Sequence, residues 1–571
     1  MLEIPSDNKK LTRQALEWSE ECRQSQATRT AHCRNINQIT EAGRNTGPKA
    51  LINLLPFLLD RFSAHLFSPT ELQFTIDYEN VYPKNILEWG KVGARLLSRD
   101  WERSNTDTAF ARGVYEAGKY GACIFKQWVQ QEGEKSAPVY HKRLVMPWQF
   151  AVYREDENEI GKQPILCETT LLTMPEVWRR VYSLPEADKL YKRIQTHSMR
   201  GLIGDTPNSF FHQVLSTNQI NTSGQAGSPM PGGIVSLTSD ANYPILEPQI
   251  GTDTVRMHEL WVQGEDDYVT IQIIEPDILV APIYNRTNLL AKNSGRHPYT
   301  LIQMNEVSGY FWGKSEISDV IEASGWLATT ADDARRMLGV QIDKLLGFAG
   351  YDGLADELYD QARSAGYFNM PAGASVNDIT PAWVDFLPIL KFIIEIINMQ
   401  SGFPEILQGR GEPGVRAGVH ADTLLKTGSP TLRDRSLLVE RQCATAADLT
   451  FMLKQYKDGA TYWTKADTPK DAEETSFLLS DIPMDRRVSV DSHSSSPIFA
   501  DDHKQLMAEG AKLGIVTPHY MVDNLPFPNK ELLHTELREK EKQNAAMIED
   551  LKANHPDIYE KVVSKQMGGK H

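Results

Sequence analysis

The sequence predicts an α+β fold that is predominantly helical, and three observations carry that reading. Apolar residues recur at three-to-four spacing through much of the chain before Ala122. Short runs rich in aromatic and β-branched residues, CIFKQWV, PVYHKRLV and QFAVYRE, follow between 122 and 172. After Pro298 helical patterning returns for most of the remaining length. A chain of 571 residues is long for one compact core, so several lobes or one large elongated subunit is expected. With 41% hydrophobic and 24% charged residues, it has the apolar material to fold.

Taken in order, Leu11–Ile39 carries polar helix formers, while Ala50–Phe67 and Ile86–Tyr120 carry apolar residues on one helical face; together they read as a helical lobe. Ala122–Leu172 reads as a small antiparallel sheet. Residues 203–250, with NTSGQAGSPMPGG at their centre, bury too little to offset ordering entropy and read as a long exposed loop. His258–Val280 alternates like a hairpin, LWVQG then YVTIQIIE, turning at Glu265–Asp267. Thr330-x-x-Asp333 resembles a capping box, with Asp for the usual Glu, and predicts a helix start before Leu338, Ile342, Leu345 and Leu346 on one face. The Gly/Pro-punctuated stretch 347–381 reads as a separate module. Trp383–Gln400 is an apolar helix whose narrow polar stripe is Lys391 and Glu395, so protein must cover most of its sides. The charged segments 501–513 and 530–566 read as solvated amphipathic helix. No period of 20 to 50 residues appears, which excludes solenoids and propellers.

Charge and motifs narrow the function. The 60 Lys and Arg against 75 Asp and Glu leave a formal charge of −15, the opposite of a protein that grips DNA by neutralising phosphates. Such a chain suits a task in which a polyanion slides without sticking. The five cysteines, Cys22, Cys33, Cys123, Cys167 and Cys443, show no metal spacing and read as reduced, buried thiols of a cytoplasm-like compartment. MLEIPSDNKKLTRQ lacks the apolar run of a secretory leader, and the longest apolar stretches are broken by Pro56 or by Lys391 and Glu395, so no membrane anchor is expected. GRGEPGVRAG, Gly409–Gly418, lacks the GK[ST] ending of a phosphate loop; GxSxG, HExxH and the zinc-deaminase pattern are absent. His297, His420 and His493 read as lone polar surface, and Asp332–Asp333 and Asp501–Asp502 as first-turn residues facing a helix dipole. The chain is therefore read as a non-enzyme without cofactor or metal.

Three segments, in this order, resemble portal proteins of tailed double-stranded DNA bacteriophages. His297-Pro298-Tyr299 followed by Gly309-Tyr310-Phe311-Trp312-Gly313-Lys314-Ser315 resembles the HP…fyG.S element preceding the family's first stem helix. Gly402-Phe403-Pro404-Glu405-Ile406-Leu407-Gln408-Gly409 is similar to its GVPxxLxG stretch, with Phe403 in place of a smaller apolar residue. Glu509–Thr517, EGAKLGIVT, resembles its late helix, Gly-Ile-Ser/Thr, helix element. The resemblance covers roughly residues 50 to 530.

It implies a portal fold of wing, stem, clip and crown, assembled around a channel. The wing would span 1–327, the first stem helix 328–346, the clip 347–383 and the second stem helix 384–402. A tunnel loop at 403–419, a wing helix with return strands at 420–529 and a crown-like terminus at 530–571 would follow. The stem contacts would involve Leu338, Ile342 and Ile394, the clip interface Tyr367, Phe368 and Met370, and the DNA-facing loop Gly409, Arg410, Glu412, Arg416 and Gly418. Implied partners are further copies in a closed ring, commonly twelve, together with double-stranded DNA in the channel, the major capsid protein, the terminase and a head–tail adaptor or tail protein. The location implied is the capsid's portal vertex after assembly in the host cytoplasm. Twelve copies at −15 would carry −180, a lumen that keeps DNA centred. Another virion structural protein and an intracellular enzyme with an unrecognised site stand as the alternatives.

Within the glycine-rich loop Arg410 and Arg416 can meet phosphates while Glu412 opposes them, a weak and salt-sensitive contact. Arg410→Ala/Arg416→Ala should leave assembly intact and change the retention of packaged DNA with ionic strength, measured as nuclease-sensitive DNA in filled heads. Loss of particle stability alone would overturn the DNA-facing assignment.

Overall fold

A computed structural model of the chain describes residues 4–24, 26–41, 53–67, 72–130, 139–197, 254–264, 268–284, 296–342, 346–349, 375–378, 381–401, 430–457, 459–463, 476–490 and scattered positions after 509. Helices and antiparallel sheets are mixed, as an α+β fold requires. No helix among the described residues is long and apolar enough to cross a membrane.

The helical lobe holds α1 (Asn8–Cys22), α2 (Gln26–Glu41), α3 (Leu55–Leu66), α4 (Lys84–Arg103) and α5 (Thr106–Tyr120). Two expected single stretches are each divided. α1 and α2 part beyond Cys22, and the helical run 84–120 breaks at Asn105, whose φ of 51° lies in the left-handed region that asparagine tolerates. The five cysteines are buried free thiols, as the sequence predicts. Burial pushes the Cys167 thiol up to about 11, which removes its nucleophilic character at neutral pH.

The strands form two principal sheets rather than the single small sheet and separate hairpin expected. In the first, β2 (Ala122–Gln130) is flanked by β3 (Val139–Val145) and β9 (Tyr299–Gln303). In the second, β4 (Phe150–Val152), β5 (Ile165–Thr173), β6 (Thr254–Gln263), β7 (Tyr268–Ile274) and β8 (Ile278–Tyr284) lie in sequence order. The expected hairpin is β6–β7, but it joins β5 in register Ile165↔Val262, so the two strand-rich stretches share one sheet.

Strand alternation explains how this second sheet is sandwiched. Ile165, Cys167, Leu260 and Val262 face Leu11, Ala15 and Trp18 of α1. Leu166 and Trp261, one residue out of phase, face Ile124 and Val145 of the first sheet. Both faces being covered, β7 is buried at every position, its polar Thr270 and Gln272 included.

Beyond the sheets come α8 (Ile321–Ile342), the strand pair β10 (Leu346–Ala349) and β11 (Ser375–Asp378), α9 (Leu387–Ser401) and α10 (Pro430–Lys457). α8 begins at Ile321, well before the expected start, and Thr330 lies inside it. Ala323, Leu327 and Ala331 recur every four residues against the core, so packing sets the frame and the capping-box pattern is not used. Asp332 is accordingly no first-turn residue; it pairs with Arg335 and Arg336 at 3.0 and 2.8 Å on the helix surface. Leu346, expected on the same helical face, belongs to β10. α10 lies across the lobe and the first sheet, burying Val439, Cys443, Ala446, Ala447 and Phe451. β12 (Thr461–Trp463) pairs with β13 (Ser476–Leu478). β14 (Arg486–Val490) returns from late in the chain to pair with β1 (Phe74–Tyr78), the earliest strand.

A buried charge cluster joins the sheets. Lys126 on β2 donates to Glu168 on β5 at 2.6 Å and to Glu259 on β6 at 2.7 Å. Glu259 also accepts from Trp261 Nε1 at 2.9 Å and Gln272 Nε2 at 3.1 Å, and Tyr299 OH donates to Glu168 at 2.8 Å. Arg143 of β3 pairs with Glu168 as well. Burial opposes ionisation of Glu259, but the Lys126 charge and these donors outweigh it and hold the carboxyl below its ordinary range. Lys126→Met removes the cation that two buried carboxylates share and should lower unfolding free energy by about 3–5 kcal/mol in urea denaturation. A loss below about 1 kcal/mol would show that the cluster is hydrated and dispensable.

Candidate functional site

The segment that leads into α8 is built by the residues His297–Ser315 singled out from sequence. His297 is buried rather than surface-exposed. Its ring stands edge-on to Tyr268 at 5.3 Å, its Nδ1 accepts the Tyr299 amide at 3.3 Å, and burial lowers its pKa to about 4, so it stays neutral and structural. Phe311 is fully buried, and the Trp312 ring lies 3.8 Å under the Arg29 guanidinium. Arg29 is further fixed to Glu155 at 2.6 Å, Pro147 O at 2.9 Å and Phe150 O at 2.8 Å, while Trp312 Nε1 donates to the same Glu155. Gly313 needs to be glycine twice over. Its φ is +64°, and a Cβ there would sit 2.7 Å from Asn305 O. Ser315 Oγ donates to Lys119 O at 2.7 Å, tying the lead-in to the end of α5.

Glu316 then meets Arg435 of α10 at 2.6 Å, with Lys314 and Asp319 as its other charged neighbours. This ion pair connects the start of α8 to the first turns of α10.

From that fixed start α8 runs out alongside α9. Gln341 Nε2 donates to Pro381 O at 2.6 Å and binds the far end of α8 to the residues that precede α9. The inner faces are short: Ala323, Ser324, Leu327 and Ala331 on α8, Ile393 and Ile397 on α9. The outer ones are apolar and open. Leu338 is 50% exposed, Ile342 71%, Phe392 61% and Met399 74%, and Trp326, Trp383, Leu387 and Ile389 are exposed beside them. Lys391 and Glu395 do mark the polar stripe of α9, both in solvent.

Of the residues named from sequence, Leu338 and Ile342 therefore lie on the open surface, whereas Ile394 is half-buried against the chain's own core. Tyr367, Phe368, Met370, His420 and His493, and the loop residues Gly409, Arg410, Glu412, Arg416 and Gly418, lie outside the described residues. Sequence reasoning missed Phe392, Met399 and Trp326 as open apolar positions, and the Glu316–Arg435 pair. For Phe392 the signal was present, one residue from Lys391 on the polar side of the helix; for Glu316 none existed, because nothing local reveals that an acid beside a serine is buried. Among the described residues no group of three or more His, Cys, Asp or Glu could hold a metal ion.

Compared with known proteins, the chain matches no family model and no curated relative.

Burial, against the opposing Arg435 charge, pushes the Glu316 carboxyl up to about 7. A group whose folded pKa lies above its unfolded value of 4.5 binds its proton more tightly when folded, so its stabilising contribution is full below pH 4.5 and lost as pH rises through 7. Glu316→Gln removes that titration. Between pH 4.5 and 8 the unfolding free energy of the variant should gain about 3 kcal/mol on wild type, read from urea titrations at each pH. A flat difference over this interval would place the carboxyl's folded pKa near its unfolded one.

Proposed function

We propose that the chain is the subunit of a portal ring, the assembly at one vertex of a tailed phage capsid through which double-stranded DNA enters and leaves. The open apolar surface of α8 and α9 carries the proposal. Two helices in contact with each other expose Leu338, Ile342, Leu387, Ile389, Phe392 and Met399, large apolar side chains that gain from leaving water. Contact with further copies removes it from water, and a closed ring satisfies every copy alike.

The order of elements supports the same reading. α8, the β10–β11 pair, α9 and then the long α10 follow the stem, clip, stem and wing-helix succession, with stem helices at 321–342 and 387–401 in place of the sequence-based 328–346 and 384–402. The buried packing of His297, Phe311, Trp312 and Ser315 would give the first stem helix a fixed root. In this reading the partners are the terminase and then a tail or adaptor protein at the clip, the major capsid protein around the wing, and DNA in the channel; the particle resides at the portal vertex of the virion. The negative charge of each copy leaves the DNA few strong contacts to break as it moves.

The test uses Phe392, which faces outward, in preference to Ile394, whose substitution would also damage the chain's own core. Phe392→Asp should leave the melting temperature of the monomer within a few degrees of wild type and abolish rings in mass photometry and negative-stain images. Rings of normal yield from this variant, or a parent chain that stays monomeric at every concentration, would overturn the portal reading.

A further inference from the structure

A second surface, built from other helices than α8 and α9, is also left incomplete. After β5 the chain turns directly into α6 (Met174–Val181), capped by Thr173 and Glu176, and then α7 (Ala187–His197). Leu172, Val177, Val181 and Ile194 hold this helical pair on one end of the five-stranded sheet. Of the eleven residues of α7 only Ile194 is buried. A helix this short draws little stability from its own hydrogen bonds and depends on packing, which Ile194, with Leu190 and Tyr191 half-buried beside it, provides on one side alone. On α6 Trp178 and, just past its end, Tyr182 are exposed, with Trp178 edge-on to Tyr191 of α7 at 5.3 Å. Within 174–197 the basic residues are Arg179, Arg180, Lys189, Lys192 and Arg193 against Glu176, Glu186 and Asp188, five minus three, a surplus of two that Asp277, paired with Arg193 at 2.6 Å, reduces to one in a chain of net −15.

The opposite end of the same strand is acidic. The connection from β4 to β5 reads YREDENEIGK over 153–162, and Asn158 clasps the 306–310 turn through Val307 O at 2.8 Å and the Gly309 amide at 3.0 Å. Across 153–162 and 306–310 stand Glu155, Asp156, Glu157, Glu159 and Glu306 against Arg154 and Lys162, five minus two, a deficit of three that Arg29, paired with Glu155 at 2.6 Å, reduces to two. Tyr153, Val307 and Tyr310 are exposed among them. The nine residues of β5 separate the two patches by about 26 Å at roughly 3.3 Å per residue. Each patch thus joins exposed aromatic or apolar groups to charge of one sign, and the signs are opposite.

We infer that the α6–α7 surface of one copy docks on the 153–162 and 306–310 surface of the next. Two copies meeting through the same patch would set like charges together, whereas opposite ends attract. Contact of one end with the other is heterologous, the kind that repeats around a ring. The inference rests on the portal reading for its closure, and it names the contact made by the wing, separate from the stem. Pairs already present within each patch, Glu159 with Lys162 at 2.7 Å and Lys189 with Glu186 at 3.3 Å, are surface pairs that contribute little and exchange readily.

Charge reversal tests it. Asp156→Lys/Glu159→Lys and Lys189→Glu/Lys192→Glu, each alone, should raise the concentration for half-assembly at least tenfold in mass photometry at low salt, with monomer melting unchanged. The four substitutions combined should bring it back to within about threefold of wild type. Mixing Glu157→Cys protein with Lys192→Cys protein under oxidation should give a disulfide-linked dimer that neither gives alone, since the native thiols are buried. Reversals that assemble like the parent, a combination that fails to recover, or the absence of the mixed disulfide would overturn the contact. Should Phe392→Asp abolish rings while the mixed disulfide still forms, both surfaces stand. Should the parent form only open chains whose length the reversals shorten, the wing contact stands and the portal reading falls.

Discussion

The ammonium group of Lys126, placed between two carboxylates where two sheets meet, is the constraint on which the rest of the structure depends. A buried ion set contributes little net stability over an apolar core of the same shape, yet with Lys126, Arg143, Trp261, Gln272 and Tyr299 all directed at the two carboxylates it admits few alternative arrangements. Glu168 and Glu259 lie opposite one another in the β5–β6 ladder, and Lys126 comes from the other sheet. A slip of one residue in either strand would turn a carboxylate to the α1 side, into apolar surroundings. The cluster thereby sets the register between β5 and β6, strands that are neighbours in the sheet although α6 and α7 come between them in the chain, and the position of one sheet over the other.

From this fixed pair of sheets the geometry propagates to α8. β9, which supplies Tyr299 to the cluster, is soon followed by the turn that carries Phe311 and Trp312, and Trp312 is locked between Arg29 and Glu155. The start of α8 is therefore fixed by buried partners, while towards its far end Gln341 binds Pro381 O and the apolar Leu338 and Ile342 are exposed. Rigidity at the root and incompleteness at the tip are what an assembling element needs: an apolar surface promotes specific association only when its orientation on the subunit is defined.

Much of the architecture was legible in the sequence where a single periodicity governs it. The helices of the lobe, the β6–β7 hairpin and the open apolar helix 387–401 are all visible in spacing alone, as is the polar stripe of Lys391 and Glu395. What was not legible depends on partners distant in sequence. Lys126, Glu168 and Glu259 look like the solvent-facing positions of half-buried strands; only the second sheet lying above them makes them interior. Thr330 and Asp333 read as a helix start because a capping pattern is local, and Ala323, Leu327 and Ala331 override it because their core neighbours come from elsewhere. His297 reads as surface for the same reason. The GYFWGKS residues were recognisable as a pattern, but their role as a joint depends on Arg29, which belongs to α2 far earlier in the chain.

Charge supplies the remaining step. Copies each bearing −15 would repel one another at long range, and the apolar surface of α8 and α9 attracts without fixing direction: on its own it would serve a face-to-face dimer as well as a ring. A dimer of that kind brings identical patches together, and on this chain the patches at the two ends of β5 carry net charge of a single sign each. Like-charge contact disfavours the symmetric pairing at both ends, while the head-to-tail arrangement relieves it at both. Electrostatic complementarity of this kind adds less to affinity than to the choice among geometries. The apolar helices would then provide most of the association energy, and the ends of the sheet would decide that copies follow one another around an axis.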